Sequence, residues 1–195
     1  MSHSPTTPIS TASVMRNYLH AKDENRPVYM AQAFAADAVL KMTLRTPAIA
    51  FPPEAHGLDA ITETLVRTFS HTYENVFTFY LAHPGSETVL TSYACDWLVG
   101  MTDKTTGDVR IGCGRYDWEF QTQPHLASGL TITIETMLTL PTDTAPAIFG
   151  WLTTLPYPWA DPQCVTQTAP PIEALAPVMH WIRRNNPVHP TGGTA

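Results

Sequence analysis

Four β-rich runs follow one another in the second half of the chain, and they constrain the fold more than any other feature. The runs span residues 75–82, 88–101, 109–121 and 130–140, and short turn clusters separate them. Consecutive strands with short links run antiparallel, because a parallel pair needs a long crossover. The sequence therefore predicts an antiparallel meander. Both faces of these strands carry apolar residues, so both faces of the sheet need a cover. We expect helices to cover one face and a second subunit of a dimer to cover the other.

The part of the chain before these runs is dominated by helical spacing of apolar residues. Val14, Met15, Tyr18 and Leu19 predict a short amphipathic helix over 11–22. We predict a second helix after Pro27, strands at 38–44 and 48–51, and a third helix over 57–69. Helices followed by a long-stranded antiparallel sheet indicate an α+β fold.

Proline divides the chain into three parts. Ten of its 18 prolines fall in residues 141–195. We therefore interpret residues 1–10 as a disordered arm, 11–140 as the folded domain and 141–195 as a C-terminal extension with helices near 145–152 and 171–184. Three tryptophans lie in this extension, which predicts that it packs on the domain rather than hanging free: Trp151, Trp159 and Trp181.

Composition argues against several classes of function. Only 11 lysines and arginines stand against 17 acidic residues, so we expect no nucleic-acid groove, which needs a basic stripe. No window reaches the ~20 apolar residues of a membrane helix, so we expect no membrane partner. Three cysteines without a CxxC pair favour a reducing, cytoplasmic setting. Nucleotide and metal motifs are absent, so the sequence predicts no cofactor and no metal.

Asp96 is the sharpest candidate for chemistry. It interrupts an otherwise neutral apolar run, and a carboxylate in such a place must be paired, neutralised or placed in a wet cavity. One interpretation is a proton-transferring group with a pKa raised by burial. The other is an ion pair with Arg110 or Arg115 from the next run.

Strand register decides between these interpretations. A turn centred on Thr105 places Asp96 opposite Gly114 and Leu98 opposite Gly112, which leaves space on that face for a pocket mouth or a β-bulge. A slip of one residue would place Asp96 beside Cys113 instead.

Tyrosines are the candidate partners of this carboxyl group. Tyr18, Tyr80 and Tyr116 could each donate a phenolic hydrogen bond into a pocket, although tyrosines at such positions often only pack. Alternating charges at Arg115, Asp117 and Glu119 indicate a solvated or interfacial stripe.

The order of these elements resembles one known group of proteins. The passages FAADAVLKM (34–42), HGLDAITETLVRTF (56–69), NVFTFYL (75–81) and CGRYDWEF (113–120) are similar to those of the nuclear transport factor 2-like superfamily, in particular its SnoaL-like members. The resemblance covers residues 11–140. It implies a cone-shaped α+β barrel in which a curved, mainly antiparallel sheet wraps three N-terminal helices, with a small-molecule pocket inside and homodimerisation through the sheet.

Two functions follow from this resemblance, because the superfamily contains both enzymes and binding proteins. The first is a cofactor-independent isomerase, cyclase or dehydratase acting on an apolar carbonyl compound. Asp96 would move the proton, while Tyr18, Tyr80 or Tyr116 would stabilise the enolate oxygen. The second is a non-catalytic pocket for a small apolar or aromatic ligand, or a dimeric interaction module.

Overall fold

A computed structural model describes residues 9–185. The predicted N-terminal arm lies almost entirely outside these residues, while Ser10 caps the first helix by accepting a hydrogen bond from the Ser13 N–H. In chain order, the helices are α1 (Thr11–Asp23), α2 (Leu58–Thr62), α3 (Phe69–Thr72), α4 (Ala145–Leu152), α5 (Pro162–Thr168) and α6 (Ala176–Asn185). The strands are β1 (Phe34–Leu44), β2 (Glu54–His56), β3 (Tyr73–Tyr80), β4 (Ser92–Asp103), β5 (Val109–Thr122) and β6 (His125–Leu140).

These strands form one six-stranded sheet in the order β2-β1-β6-β5-β4-β3. Strands β3 to β6 pair antiparallel in sequence order, which confirms the predicted meander. Strand β1 joins the far side of β6 in parallel, so the sheet is mixed and mainly antiparallel. The α+β class predicted from the sequence is confirmed.

The inner face of the sheet packs on α1 and on the helical segment that begins at Leu58. Val14, Met15 and Leu19 of α1 are fully buried there, as the helical spacing predicted. The segment is α-helical in α2, becomes a π-helix at Glu63–Thr68 and returns to α-helix in α3. Single π turns inside helices are rare and often occur at functional sites.

The outer face of the sheet has a separate apolar core. Helices α4, α5 and α6 pack there against Phe79, Leu98, Ile111 and Leu140. We expected a second subunit to provide this cover, but the chain's own extension covers the apolar part of the face. The homodimer stays a prediction, and its interface would have to use the remaining, polar part.

Two local predictions are wrong. Residues 27–32 form a short 3-10 helix rather than a full α-helix. Residues 45–53 form a loop instead of a strand at 48–51, and the short strand β2 comes after it. Proline explains the second error, because Pro47, Pro52 and Pro53 have no N–H to donate to a ladder.

Candidate functional site

A hollow lies between the inner face of the sheet, helix α1 and the π-helical segment. Its cavity volume is ≈ 40 Å³, and the empty space around it, including the open mouth, is ≈ 420 Å³. Apolar side chains form most of the wall: Met42, Ile49, Phe51, Leu65, Phe69, Val99, Met101, Ile132, Ile134 and Met137. The polar groups are few, and they come from Tyr18, Lys22, Thr78, Trp97 and Tyr116.

Lys22 brings a buried positive charge to this apolar wall. It lies in the last turn of α1, and only 6% of its surface is exposed. Its ammonium donates to Asp23 Oδ1 at 2.6 Å and to Thr78 Oγ1 at 2.8 Å. An ammonium has three N–H donors, and the Lys22 Nζ lies 4.7 Å from the centre of the Phe69 ring. Among the described residues, the third donor therefore has an aromatic ring instead of an oxygen acceptor.

Asp23 holds this ammonium in place. Its carboxylate also accepts hydrogen bonds from the Thr78 N–H at 2.7 Å, the Thr78 hydroxyl at 2.9 Å and the Tyr157 hydroxyl at 3.2 Å. Its side chain is 2% exposed. Lys22 and Asp23 thus form a buried pair without net charge, which is the condition under which two ions tolerate burial.

Tyr18 and Tyr116 form a second polar group in the wall. Their rings meet edge to face with centroids 6.0 Å apart, and their hydroxyls are hydrogen-bonded to each other. Burial raises the pKa of Tyr18 and Tyr116 well above the usual value of a phenol, and the negative charge of Asp23 adds to the rise. Both phenols therefore stay protonated and act as hydrogen-bond donors rather than as bases.

Trp97 also lines the hollow and carries a buried indole N–H. The residue is 3% exposed, and its Nε1 is buried without a hydrogen-bond partner in the described part of the chain. Gly114, its cross-strand neighbour, makes room for the indole, because a Cβ there would lie 2.7 Å from the ring. The exposed surface of the hollow is almost entirely apolar, and the polar groups behind it are mainly donors, which suits a mostly apolar ligand that carries an oxygen acceptor.

The structure corrects the expected position of Asp96. The register places Asp96 opposite Arg115 rather than Gly114, and Trp97 opposite Gly114. Because Cys95 and Trp97 pack in the inner core, Asp96 points to the outer face with Leu98. There its carboxylate pairs with the Arg115 guanidinium at 3.5 Å. The ion-pair interpretation describes Asp96, and the hollow does not contain this acid.

The other predicted site residues divide between the hollow and the core. Tyr18 and Tyr116 line the hollow, whereas Tyr80 does not. The Tyr80 hydroxyl donates to the Met15 carbonyl at 2.9 Å, which fixes α1 on the sheet. The glycines predicted to leave a pocket mouth are filled by neighbours instead: Trp97 occupies the space at Gly114, and Met137 occupies the space at Gly112. A β-bulge does occur, between Cys113 and Gly114.

Sequence reasoning missed Lys22, Asp23 and Thr78. A signal for Lys22 was present, because it follows Tyr18 by four residues and Met15 by seven, and so lies on the apolar face of α1. A charged residue on that face is a candidate for a buried charge. Thr78 carried no comparable signal, since a threonine is ordinary in a strand.

Within residues 9–185, no cluster of side chains fits a metal ion, and no helix is long and apolar enough to cross a membrane. Cys95 and Cys113 are buried free thiols. Burial raises the pKa of Cys113 to about 12 and that of Cys95 further, so neither is a thiolate at neutral pH.

The similarity of this chain to known proteins was found by comparison with solved structures. No family model matches the chain, and no curated protein matches it. A candidate aromatic ring hydroxylase from Novosphingobium aromaticivorans aligns with a TM-score of 0.52 and 18% identity, over 74% of this chain and 99% of its own. A candidate isomerase from Rhodopseudomonas palustris aligns with a TM-score of 0.51 and 14% identity, over 63% and 86%.

A nuclear transport factor 2-like superfamily protein from Salmonella enterica aligns with a TM-score of 0.50 and 14% identity, over 64% of this chain and 88% of its own. At such identities the likeness concerns architecture alone. Most or all of each of the three neighbouring structures aligns with this chain, while a quarter or more of this chain has no counterpart in them.

Proposed function

We propose that this chain, which has the nuclear transport factor 2-like fold, binds a small and mostly apolar molecule with a carbonyl-type oxygen in its inner hollow. The single observation that carries the proposal is the Lys22 ammonium, buried in an apolar wall with one donor against a ring instead of an acceptor. A carbonyl oxygen of a ligand would accept from that donor. The Tyr18–Tyr116 pair, which keeps one O–H free, and the Trp97 indole N–H offer further donors beside the same wall.

The apolar part of the ligand follows from the rest of the wall. Aromatic and sulfur-bearing side chains surround the hollow, and they favour flat hydrocarbon rings over sugars or charged metabolites. Removing such a ring from water contributes roughly 25 cal/mol per Å² of apolar surface. The oxygen therefore selects the orientation of the ligand, while the ring supplies most of the affinity.

The test compares two fluorinated probes of similar shape by ¹⁹F NMR titration. We expect 4-fluoroacetophenone, a ketone, to bind about tenfold more tightly than 4-fluoroethylbenzene, because a hydrogen bond to a charged donor contributes about 1.5–3 kcal/mol. Equal affinity of the two probes, or no binding of either, would contradict the proposal.

A double variant shows whether Lys22 is the source of the preference. Lys22→Met with Asp23→Asn removes both charges together, so that no unpaired ion is left buried. We expect it to abolish the preference for the ketone and to keep the affinity for the hydrocarbon. Lys41→Met is the matched control, because Lys41 is exposed on strand β1. It should leave both affinities unchanged.

Proton transfer next to the carbonyl is the second candidate function. The donors from Lys22 and from the Tyr18–Tyr116 pair would stabilise the negative oxygen of an enolate, which supports it. However, no carboxylate lies among the described residues of the wall, so the wall lacks the usual proton acceptor. Binding is therefore the better supported function.

Deuterium exchange separates the two functions. An enzyme of this kind would speed the exchange of the acetophenone methyl protons in D₂O, followed by ¹H NMR, and the double variant would lose the acceleration. If the wild-type protein binds the ketone without accelerating exchange, catalysis at this position is excluded and binding stands.

A further inference from the structure

We propose that an outer groove beside the hollow is a second binding subsite, and that the ligand passes from it into the hollow between Phe51 and Phe69. This inference rests on the proposed function, since it concerns the same ligand. It assigns a role to the loop of residues 45–53 and to the helical segment around the π turn.

The two spaces share a wall. The outer groove has a cavity volume of ≈ 300 Å³, against ≈ 40 Å³ for the hollow, and is lined by Pro52, Thr64, Thr68 and Tyr73 as well as by Phe51 and Phe69. Within residues 9–185, only Phe51 and Phe69 line both the groove and the hollow. Their rings are close to parallel, at 17°, with centroids 6.5 Å apart. These two rings are therefore the partition between the groove and the hollow.

Exposure of the wall residues also places the mouth at this point. Tyr18 on α1 and Val99 and Met101 on β4 are at most 5% exposed. Ile49, Phe69 and Met42 reach 8–9%, and Phe51 is half-buried. Exposure thus rises toward the loop, and a ligand entering there displaces the fewest packed side chains.

Hydrogen bonds hold the loop at its start, its middle and its end, but not at residues 49–52. The Arg45 N–H donates to the Ile134 carbonyl at 2.9 Å, the Arg110 guanidinium donates to the Ala48 carbonyl, and the Met42 N–H donates to the Pro53 carbonyl at 2.8 Å. Residues 49–52 make no hydrogen bond to the rest of the described chain. Phe51 is therefore the ring whose displacement breaks only van der Waals contacts.

Phe69 connects the passage to the polar end of the hollow. Its ring covers the Lys22 ammonium, and it comes directly after the π turn, whose Leu65 lines the hollow. A ligand that moves between the two rings therefore meets the third donor of Lys22 as soon as it passes Phe69. Entry and recognition of the oxygen then occur at one point.

The test measures exchange rates of 4-fluoroacetophenone with the full chain by ¹⁹F relaxation dispersion and line shape. If Phe51 limits passage, Phe51→Ala raises the association and dissociation rates together by about tenfold, while the dissociation constant changes less than about threefold. Phe51→Trp slows both rates. Thr68→Phe, which fills the outer groove, slows association.

Phe149→Ala is the matched control, because Phe149 packs in the outer core and lines neither space. It should leave both rates unchanged. If Phe51→Ala does not fold by circular dichroism, Phe51→Leu replaces it. Unchanged rates in both Phe51 variants, or a change in dissociation alone, would overturn the route while leaving the proposed function intact. No binding to the wild-type protein would overturn the proposed function first, and the route with it.

Discussion

Single residues decide which charge a ligand can carry in the hollow. Asp23 already compensates Lys22, so the pair is neutral before any ligand arrives. A carboxylate ligand would bring a second negative charge into an apolar space, where an uncompensated ion is costly. The Lys22 ammonium therefore acts as a hydrogen-bond donor to a neutral oxygen rather than as a counter-ion to an anionic ligand.

A neutral probe and an anionic probe of similar size test this argument. We expect 4-fluorobenzoate to bind at least about tenfold more weakly than 4-fluorobenzamide in ¹⁹F titrations at neutral pH. The benzamide is the matched control, because it keeps the ring and the carbonyl. Tighter binding of the benzoate would show that Asp23 does not compensate the ammonium.

Asp96 leads to a second prediction at this scale. Because its carboxylate lies on the outer face beside Arg115, Asp96→Asn should leave the affinity for 4-fluoroacetophenone within about twofold. Half of the Arg115 side chain is exposed, so loss of the ion pair should lower the free energy of unfolding by no more than about 1 kcal/mol. Urea unfolding and ¹⁹F titration of the variant check both numbers. A large loss of affinity for 4-fluoroacetophenone would show instead that Asp96 contributes to the candidate site.

At the scale of elements, the extension replaces the cover that we expected from a partner. Leu152 of α4 is fully buried against the sheet, and its Cδ1 would overlap a Cβ placed on Gly100. The close approach of α4 to β4 thus depends on the missing side chain at Gly100. Since the outer face carries its own apolar core, the extension is part of the folded unit.

Leu152→Ala measures how much this packing contributes. We expect the free energy of unfolding to fall by about 2–5 kcal/mol, as for other fully buried leucines. Gly150→Ala is the control on the same helix, because nothing lies within 4 Å of its Cβ position. Better helix propensity should leave it neutral or stabilise it by up to about 1 kcal/mol. If Leu152→Ala costs less than the usual range, α4 is only loosely attached.

The elements were more predictable from sequence than the site. The period of two along residues 75–140 determined the meander, because hydrophobic alternation is a local property. The register of β4 against β5 depends on contacts between strands and not on local sequence. The predicted register was wrong by one residue, which placed Asp96 on the wrong face of the sheet. Lys22 was missed for a similar reason, because its burial depends on Asp23 and on Thr78, which is 56 residues away along the chain.

Across the whole molecule, buried phenols and thiols determine how stability responds to alkaline pH. Burial raises the pKa values of Tyr18, Tyr80 and Tyr116 well above 10.0, and raises those of Cys95 and Cys113 above 9.0. In the unfolded chain these groups lose their protons near the ordinary values. The folded chain therefore binds more protons than the unfolded chain once the pH exceeds about 9.

The sign of the effect follows directly. Where the native state binds more protons, the free energy of unfolding falls as pH rises, by up to about 1.36 kcal/mol per pH unit for each group. The stabilisation is complete below the unfolded pKa values and is lost progressively between about pH 9 and 12. Urea unfolding across this range should show a steep decline in the free energy of unfolding, starting with the thiols and steepening as the phenols of the unfolded chain ionise.

Tyr116→Phe should make the decline shallower, because one buried phenol is removed, and the free energy of unfolding of the variant relative to the wild type should rise between pH 8 and pH 11. Stability that stays level up to pH 11 would mean that water reaches these hydroxyls, and then the hollow would be wetter than its apolar wall implies.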